Sequence, residues 1–352
     1  MGAVLVVNAG STSLKLRLVS ENEHVDGVES FDGARSSEVA AVGHRIVHGG
    51  RDLVAPTLID STVRASIGAL ESIAPLHNAP ALAGIDDATR TFPRVPHVAV
   101  FDTAFHATIP AEATTYAIPR IWREEWGIRR YGFHGLSVQW CAERAPAILG
   151  PSPPPRRLIV CHLGGGSSIT AVRDGLAIDT TMGFSPLEGV PMSTRSGSVD
   201  PGALLYMQRQ HDVTVEELDR ALNEESGLLG LSGLSGDVRE LEAAAGNDES
   251  ARLALAVYAY RIAGAVAAMA ASLGGLDALV FTAGVGEHSA GVRAAVCARL
   301  AFLHVDLDAN RNARSTPDTD IASSESTVRV LVIAAREELV IARGVRALLQ
   351  LT

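Results

Sequence analysis

Arg45 is a cation inside GHRIVHGG (43–50), an apolar stretch typical of a buried strand. A buried guanidinium without a partner is strongly disfavoured, so a carboxylate or a bound anion must lie beside it. We favour the bound anion. The neighbouring His44 and His48 are four residues apart, roughly 13 Å on an extended strand, which is too far for a shared metal ion. The stretch therefore predicts an anion site around Arg45.

Two more reactive side chains follow strand-like or glycine-rich segments. The apolar strand in VAVFDTAFH (98–106) ends at Asp102, and ligands of α/β proteins usually bind at the carboxyl ends of strands. Taken alone, Asp102 fits a turn or a helix cap better. RRYGFHG (129–135) places His134 among glycines and aromatic residues without a regular period, which favours a loop at a site.

The longest irregular stretch is DTTMGFSPLEGVPMSTRSGSVDPG (179–202), in which Arg195 is the only cation. A long loop without helical or strand periodicity in a compact domain is usually functional. Arg45 and Arg195 come from different halves of the chain. Two guanidinium groups on one phosphoryl group would stabilise the negative charge on its equatorial oxygens in the transition state.

A hairpin pattern occurs twice. VLVVNAGSTSLKLRLV (4–19) is an apolar strand, a tip of glycine and hydroxyl residues, and a second strand, and RLIVCHLGGGSSITAVRDG (157–175) repeats this order. The sequences align residues 13–16 with residues 168–171. Backbone N–H groups at such tips can converge on an anion, so the two tips together predict a site for the phosphate chain of a nucleotide.

The remaining elements indicate an α/β architecture, because strands alternate with helices. Proline-rich APAILGPSPPPRR (145–157) is predicted to be an exposed connection, and residues 310–327 a surface loop. VFTAGVGEHS (280–289) joins a strand to a helix, where free N–H groups could face a nucleotide. Further strands are expected at 39–47, 95–101, 276–281 and 328–333, and helices near 62–74, 80–90, 136–149, 200–210, 214–224, 249–273, 288–302 and 337–349.

Composition limits the classes of function. The net charge of −10 argues against nucleic acid as a partner, because such binding requires a basic surface. Three isolated cysteines suit a reducing compartment. No basic segment precedes the first strand, so a signal peptide is not expected. The apolar stretch 253–273 contains Arg261 and is interpreted as a buried alanine-rich helix, without membrane association. We expect a cytoplasmic protein.

The chain resembles the acetate kinases, in the acetate/propionate kinase branch of the actin-like superfamily. The resemblance covers nearly the whole chain in family order, through VNAGSTSLK, GHRIVHGG, PLHN, VFDTAFH, RRYGFHG, HLGGGSSI, MGFSPLEGVPMSTRSG, DPG, FTAGVGEHS and EELVIAR. It implies an α/β fold of duplicated actin-like (ribonuclease H-like) domains with a central nucleotide cleft. The substrate-side domain would comprise residues 1–105 plus 338–352, and the nucleotide-side domain residues 106–337.

The resemblance implies reversible transfer of a phosphoryl group from ATP to acetate, giving acetyl phosphate and ADP, a step that feeds acetyl-CoA synthesis. Mg²⁺ is the implied cofactor, with Mn²⁺ as an alternative, and a homodimer is the implied assembly. Two other functions stay open. One is a propionate or butyrate kinase of the same family, because one methylene group changes binding by only about 1–3 kcal/mol. The other is a non-catalytic nucleotide-binding protein of the actin-like type.

The resemblance also assigns roles to residues. Arg45 and Arg195 would hold the carboxylate and the phosphoryl group, and His134 would donate a hydrogen bond to that group. Asp102 and Glu337, the latter more strongly, would position Mg²⁺ together with Asn8. The phosphate side would be lined by Asn8, Ser11, Ser13, Lys15, His162, Gly164, Gly165 and Gly166; the adenosine pocket by Asp237, Arg239, Gly284, Val285, Gly286 and His288; and the pocket for the methyl group by Val47, Leu76, Phe133 and Pro186.

The chemistry agrees with these roles. A carboxylic acid with a pKa of about 4.3 is ionised at neutral pH, so the nucleophile needs no general base, and His134 is better interpreted as a donor. Three departures from the family pattern stand out. The segment before GHRIVHGG is short, Gly165 replaces a customary asparagine, and His288 replaces an asparagine near the adenine position.

Overall fold

The computed structural model describes residues 2–9, 14–35, 37–71, 75–150 and 154–351, without the side chains of residues 75–77. Over this described part the chain divides into two compact units. The first unit comprises Met1–Ala107, Phe133–Trp140 and Arg336–Thr352, and the second comprises Thr108–Gly132 and Cys141–Ala335. The predicted boundary differs, because residues 106–107, 133–140 and 336–337 pack with the first unit although the sequence interpretation placed them in the nucleotide-side domain.

The described residues of the first unit form a sheet of six strands in the order β3-β2-β1-β4-β6-β5. Strands β1, β4 and β6 are mutually parallel, and β2, β3 and β5 run antiparallel to their neighbours. The strands are β1 (Ala3–Ala9), β2 (Leu14–Val19), β3 (Val25–Val28), β4 (Val39–Ile46), β5 (Thr57–Leu58) and β6 (His97–Phe101).

The second unit repeats this topology. Its sheet, again of six strands in the part of the chain that the structure describes, has the order β11-β12-β10-β7-β8-β9. In both units a hairpin opens the sheet, a third antiparallel strand extends it, and a two-residue edge strand precedes the last parallel strand in the chain. The strands are β7 (Arg157–Leu163), β8 (Ser167–Arg173), β9 (Leu176–Thr180), β10 (Ala278–Thr282), β11 (Thr319–Asp320) and β12 (Arg329–Val332).

This shared order confirms the duplicated domain predicted from the two hairpins, but it corrects their alignment. In the first hairpin Leu14 pairs with Ala9, the last residue of β1, and in the second Ser167 pairs with Leu163, the last residue of β7. Leu14 therefore corresponds to Ser167 and not to Ile169. The sequence alignment is two residues out of register, a shift that the two-residue period of a strand permits without exchanging faces.

Every predicted helix has a counterpart in the structure, which also contains several short helices that were not predicted. Three predicted segments differ from the structure. Pro146 lies inside a helix that reaches Leu149, so the predicted connection begins later. The predicted helix 288–302 is one shorter helix at Ala290–Ala298, followed by a 3₁₀ turn at Ala301–Leu303. The predicted loop 310–327 contains a helix and an edge strand. The helices are α1 (Phe31–Ala34), α2 (Ser61–Ala69), α3 (Pro75–Thr91), α4 (Ala111–Thr114), α5 (Arg120–Glu124), α6 (Gly135–Leu149), α7 (Pro201–His211), α8 (Val215–Glu224), α9 (Gly227–Ser232), α10 (Val238–Ala244), α11 (Glu249–Leu273), α12 (Ala283–His288), α13 (Ala290–Ala298), α14 (Ala309–Arg314) and α15 (Glu337–Leu349).

The first unit is layered, with helices packed on both faces of its sheet. On one face Leu5 and Val7 pack with residues of α1 and α3 in a buried apolar cluster. On the other face α15 crosses β4 at Gly43, where a Cβ atom would lie 2.8 Å from methyl carbons of both Ile341 and Val345. The absence of a side chain at Gly43 thus allows α15 to approach the strand that carries Arg45.

The core of the second unit is built around α11, which packs against β7, β8 and β9. This helix is long and apolar enough to cross a membrane by composition, and 44% of its most apolar window is buried within the unit. Its buried face includes Ala254, Tyr258, Ile262 and Val266. The packing agrees with the buried alanine-rich helix predicted from the sequence.

Candidate active site

Arg45 lies on β4 of the first unit and is surrounded by oxygen atoms. Its Nε donates to Asp102 Oδ1 at 3.1 Å, its Nη2 donates to Asp102 Oδ2, and its Nη1 donates to Asn8 Oδ1 at 3.2 Å. Glu337 Oε2 lies 3.4 Å from Arg45 Nε. The side chain of Arg45 is 17% exposed, whereas that of Asp102 is buried. Of the two partners that the sequence left open for this guanidinium, the structure shows the structural carboxylate, Asp102. The bound anion, which we favoured, stays a prediction.

The electrostatics of this cluster follow from two carboxylates sharing one cation. The pKa of Asp102 is raised to about 6: burial and, to a smaller extent, the negative charge of Glu337 raise it, and together they outweigh the lowering by the charge and hydrogen bond of Arg45. Burial disfavours the charge on Arg45, yet the two carboxylates outweigh burial and raise the pKa of Arg45. The guanidinium consequently stays charged, and Asp102 is the group whose charge depends on pH.

The oxygen atoms of this cluster suit a hard cation that keeps much of its water. Asp102 and Asn8 already accept from Arg45, while Glu337 makes the looser 3.4 Å ion pair. Within the described ranges, no group of three or more His, Cys, Asp or Glu side chains is placed to hold a metal ion. The oxygen atoms of the cluster therefore suit a hard cation such as Mg²⁺, and Glu337 is the protein group best placed to hold it.

His134 precedes α6 and adopts a left-handed backbone with φ of 60°. The next residue ties it to the Arg45 cluster, because Gly135 N–H donates to the carbonyl oxygen of Asp102 at 2.9 Å. A Cβ atom at Gly135 would collide with that carbonyl. The first unit therefore brings His134 next to the strand end that carries Asp102, although 32 residues of chain separate them.

Two of the residues predicted for the methyl pocket, Val47 and Phe133, are buried in the first unit. The Phe133 ring meets the imidazole of His48 edge to face, with centroids 5.6 Å apart. Gly49 N–H donates to the Thr103 hydroxyl at 3.1 Å, which joins the chain after β4 to the chain after β6. Apolar side chains thus stand on the same strand ends as Arg45 and Asp102. The side chain of Leu76 lies outside the described residues.

The second unit contains a cavity of about 600 Å³. Two glycine turns contribute to it: the β7–β8 turn and the first turn of α12. His288, the last residue of α12, has its Nδ1 2.9 Å from the carbonyl oxygen of Gly284. That geometry puts the proton of the neutral imidazole on Nδ1. Among its lining residues, seven were predicted for the nucleotide: Gly164, Gly165, Asp237, Arg239, Gly284, Val285 and His288.

Asp237 and Arg239 form one structural element of this cavity. Asp237 caps α10, and its Oδ1 accepts from Arg239 N–H at 2.8 Å. The Arg239 guanidinium donates to Asp237 Oδ2 at 2.5 Å. The side-chain hydrogen bond of Arg239 holds the pKa of Asp237 below its usual value. Asp237 is therefore an ionised acceptor at the cavity wall at neutral pH.

Sequence reasoning missed four polar or small lining residues: Ser193, Gly236, Glu242 and Ser289. Glu242 Oε1 accepts from the Ser289 hydroxyl at 2.6 Å. Glu242 is three residues after Arg239, one helical turn along α10. That spacing could have indicated it, because residues three apart share a helix face.

Arg195 lies in the irregular segment of the second unit, as its loop pattern predicted. Its Nη1 donates to the carbonyl oxygen of Pro186 at 2.9 Å and approaches Met192 Sδ at 3.8 Å. Burial lowers the pKa of Arg195 from its usual value. The described contacts include no carboxylate, so this partly buried charge is oriented by neutral groups.

The other residues predicted to bind the nucleotide lie at several places in the two units. Lys15 is exposed on β2, opposite Asn8 in the ladder, and His162 is buried near the end of β7. Gly166 accepts from Gly164 N–H at 3.0 Å. Gly166 and the buried Gly286 do not line the cavity among the described residues. Ser11 and Ser13 lie outside the described residues.

The repeated sheet topology belongs to the duplicated actin-like class. Within that class, the chain belongs to the acetokinase family, whose model matches residues 29–343. An acetate kinase from Nostoc punctiforme is 52% identical over 310 residues, 88% of this chain and 76% of that protein. A propionate kinase from Francisella tularensis is 37% identical with a TM-score of 0.90, covering 98% of this chain and 99% of that one. The acetate kinase from Porphyromonas gingivalis is 35% identical with a TM-score of 0.88, covering 99% and 100%.

Proposed function

We propose that this protein transfers a phosphoryl group reversibly between ATP and acetate, giving acetyl phosphate and ADP. The observation that carries this proposal is the cavity of about 600 Å³, because seven residues expected at a nucleotide line it together. Membership of the acetokinase family supports the acceptor class, a short carboxylate. It also weighs against a nucleotide-binding protein without catalysis.

In the first unit, Arg45 would hold the negatively charged partners of the reaction. The bidentate contact with Asp102 leaves a guanidinium of fixed orientation, flanked by Asn8 and Glu337. A guanidinium held in this way stabilises negative charge without reorganisation when the phosphoryl group is transferred. Asp102 would then position Arg45. This role is narrower than the positioning of Mg²⁺ that the resemblance implied for Asp102.

His134 and Arg195 would contact the transferring phosphoryl group. His134 would donate a hydrogen bond to a phosphoryl oxygen, since the acetate nucleophile is already ionised and has no proton to lose. Arg195 would add a second cation for the charge on the equatorial oxygens. Both act by position and charge.

Mg²⁺ is the proposed cofactor, held by Glu337 largely through water, with Asn8 nearby. When bound, it would neutralise charge on the nucleotide phosphates. Asn8 and Glu337 converge on Arg45, so the cation and the guanidinium would share one anionic ligand. Manganese could replace magnesium, because both accept oxygen ligands.

Acetate is the first choice of acceptor, and propionate the second. Propionate is kept as an acceptor because this chain resembles the propionate kinase from Francisella tularensis as closely in fold as it resembles the acetate kinase from Porphyromonas gingivalis. An apolar pocket distinguishes acids that differ by one methylene by only about 1–3 kcal/mol. We further propose a cytoplasmic homodimer, as the family resemblance implies.

The test is the trapping of acyl phosphate by hydroxylamine in the presence of ATP and Mg²⁺, with acetate, propionate and butyrate compared by kcat/KM. The highest value is expected for acetate. Equal values for acetate and propionate would reject acetate as the preferred acceptor. No acyl phosphate with any of the three acids would reject the proposed function.

A further inference from the structure

Arg130 fastens the loop that carries Arg195. Its Nη1 donates to the carbonyl oxygens of Thr181 and Met182 at 2.8 and 2.9 Å, and its Nη2 donates to Glu188 Oε1 at 2.8 Å. The side chain of Arg130 is 15% exposed. One guanidinium therefore spans the loop from its first residues to Glu188.

Tyr116 binds the second carboxylate oxygen of Glu188, the residue that Arg130 also contacts. Its hydroxyl donates to Glu188 Oε2 and accepts from Phe184 N–H at 3.0 Å. The guanidinium of Arg130 lies 5.6 Å from the centre of the Tyr116 ring. Burial, and then the hydrogen bond to Glu188, raise the pKa of Tyr116, so its hydroxyl stays protonated. We call Tyr116, Arg130 and Glu188 the loop clamp.

Gly183 lies inside the loop clamp and has no room for a side chain. A Cβ atom there would overlap the Glu188 carboxylate and the Tyr116 hydroxyl. Its carbonyl oxygen accepts from the N–H groups of Tyr131 and Gly132 at 3.0 and 3.4 Å. The same contact region therefore also holds the chain that leads into Phe133 and His134.

The contacts of the loop clamp lie on both sides, along the chain, of the carbonyl group that accepts a hydrogen bond from Arg195. Pro186, whose carbonyl oxygen receives Arg195 Nη1 at 2.9 Å, lies between Phe184 and Glu188 in the chain. Both of those residues are fixed by Tyr116. Because Arg195 has no carboxylate partner among the described contacts, the position of the Pro186 carbonyl determines where its guanidinium points.

We propose that Tyr116, Arg130 and Glu188 are positioning residues that hold the Pro186 carbonyl and thereby aim Arg195 at the phosphoryl group. The expected effect on kcat rests on the proposed function, whereas the fixed position of the loop rests on the hydrogen-bond network alone. A displacement of about 1 Å in a catalytic group is enough to lower a rate by two orders of magnitude.

Tyr116→Phe is the cleanest test, because it removes one hydroxyl and keeps the ring. We expect kcat to fall about tenfold, because Arg195 is then held less precisely against the phosphoryl group. KM for ATP should stay within twofold, since the cavity residues make none of the clamp contacts. Tyr206→Phe is the matched control, as Tyr206 is 57% exposed on α7, and it should leave kcat unchanged.

A double-mutant cycle separates positioning from general destabilisation. If Tyr116 acts through Arg195, adding Tyr116→Phe to Arg195→Ala should lower kcat no further. If Tyr116→Phe lowers kcat as much in the Arg195→Ala variant as in the wild type, the proposal is overturned. A normal kcat for Tyr116→Phe alone would also overturn it. If Tyr116→Phe fails to fold, Glu188→Gln is judged by the same two criteria.

Hydrogen exchange tests the loop clamp independently of catalysis. The Phe184 amide donates to the Tyr116 hydroxyl, so Tyr116→Phe should accelerate exchange across 183–190 but not in β7. Unchanged protection of 183–190 would overturn the loop clamp even if acyl phosphate is formed. Loss of protection in a protein that forms no acyl phosphate would support the loop clamp and reject only the proposed function.

Discussion

The backbone N–H of Ser193 donates a hydrogen bond to the carbonyl oxygen of Gly165 at 3.3 Å. Ser193 lies two residues before Arg195, and Gly165 lies at the tip of the β7–β8 hairpin. Both line the same cavity. A nucleotide bound in this cavity, as proposed, would therefore lie against both the hairpin tip and the loop that carries Arg195.

Arg195→Ala should lower kcat at least ~10²-fold, because a cation facing the transition state is lost. Acyl phosphate formation measures this, with Arg209→Ala, an exposed arginine on α7, as the control for loss of charge. Lys15→Ala should be milder, since neighbouring backbone donors remain. Near-normal turnover of Arg195→Ala would remove Arg195 from its assigned role.

Glu337→Gln should raise the Mg²⁺ concentration that gives half-maximal activity about tenfold or more, because a carboxylate that orders metal-bound water is lost. A magnesium titration of acyl phosphate formation measures the change. Glu338→Gln, at the next residue of α15, is the matched control. An unchanged magnesium requirement in Glu337→Gln would show that the metal is held elsewhere.

Gly165→Asn should restore a side-chain donor to the β7–β8 hairpin tip and lower KM for ATP. The structure has room, because a Cβ atom at Gly165 meets nothing within 4 Å. The substitution should also raise the free energy of unfolding by about 0.5 kcal/mol through the lower entropy of the unfolded chain. Gly246→Asn, another open position, should give the stability gain without the change in KM. A raised KM for ATP in Gly165→Asn would contradict the predicted phosphate role.

The pKa of Asp102 predicts a specific dependence of stability on pH. Because this pKa is raised from 3.8 to about 6, the folded state holds the proton more often than the unfolded state between those values. The contribution of Asp102 to the free energy of unfolding is therefore full below pH 3.8 and is lost as the pH rises to about 6. Urea unfolding from pH 4 to 7 should show that the stability difference between wild type and Asp102→Asn falls over this range. A difference that grows with pH would mean that ionised Asp102 is favoured by folding.

The sequence was informative wherever a local pattern has a local cause. Alternating apolar residues and a glycine-hydroxyl tip predicted both hairpins, and the strand before Asp102 ends at Phe101 as expected. Local patterns failed where tertiary packing overrides propensity. Pro146 is accommodated inside α6, and polar residues 309–314 form a helix capped by Asp308.

The chain by itself determined the two repeated sheets and the family, because these depend on periodicity and on motif, and it predicted which cations and glycines take part in the chemistry. Only the tertiary structure decided what each charge contacts. Arg45 meets Asp102 across 57 residues of chain, and Arg130 meets Glu188 across 58. Such pairs are decided by which strand ends and loops the fold brings together, since an ion pair needs proximity in space and leaves no periodic trace along the chain.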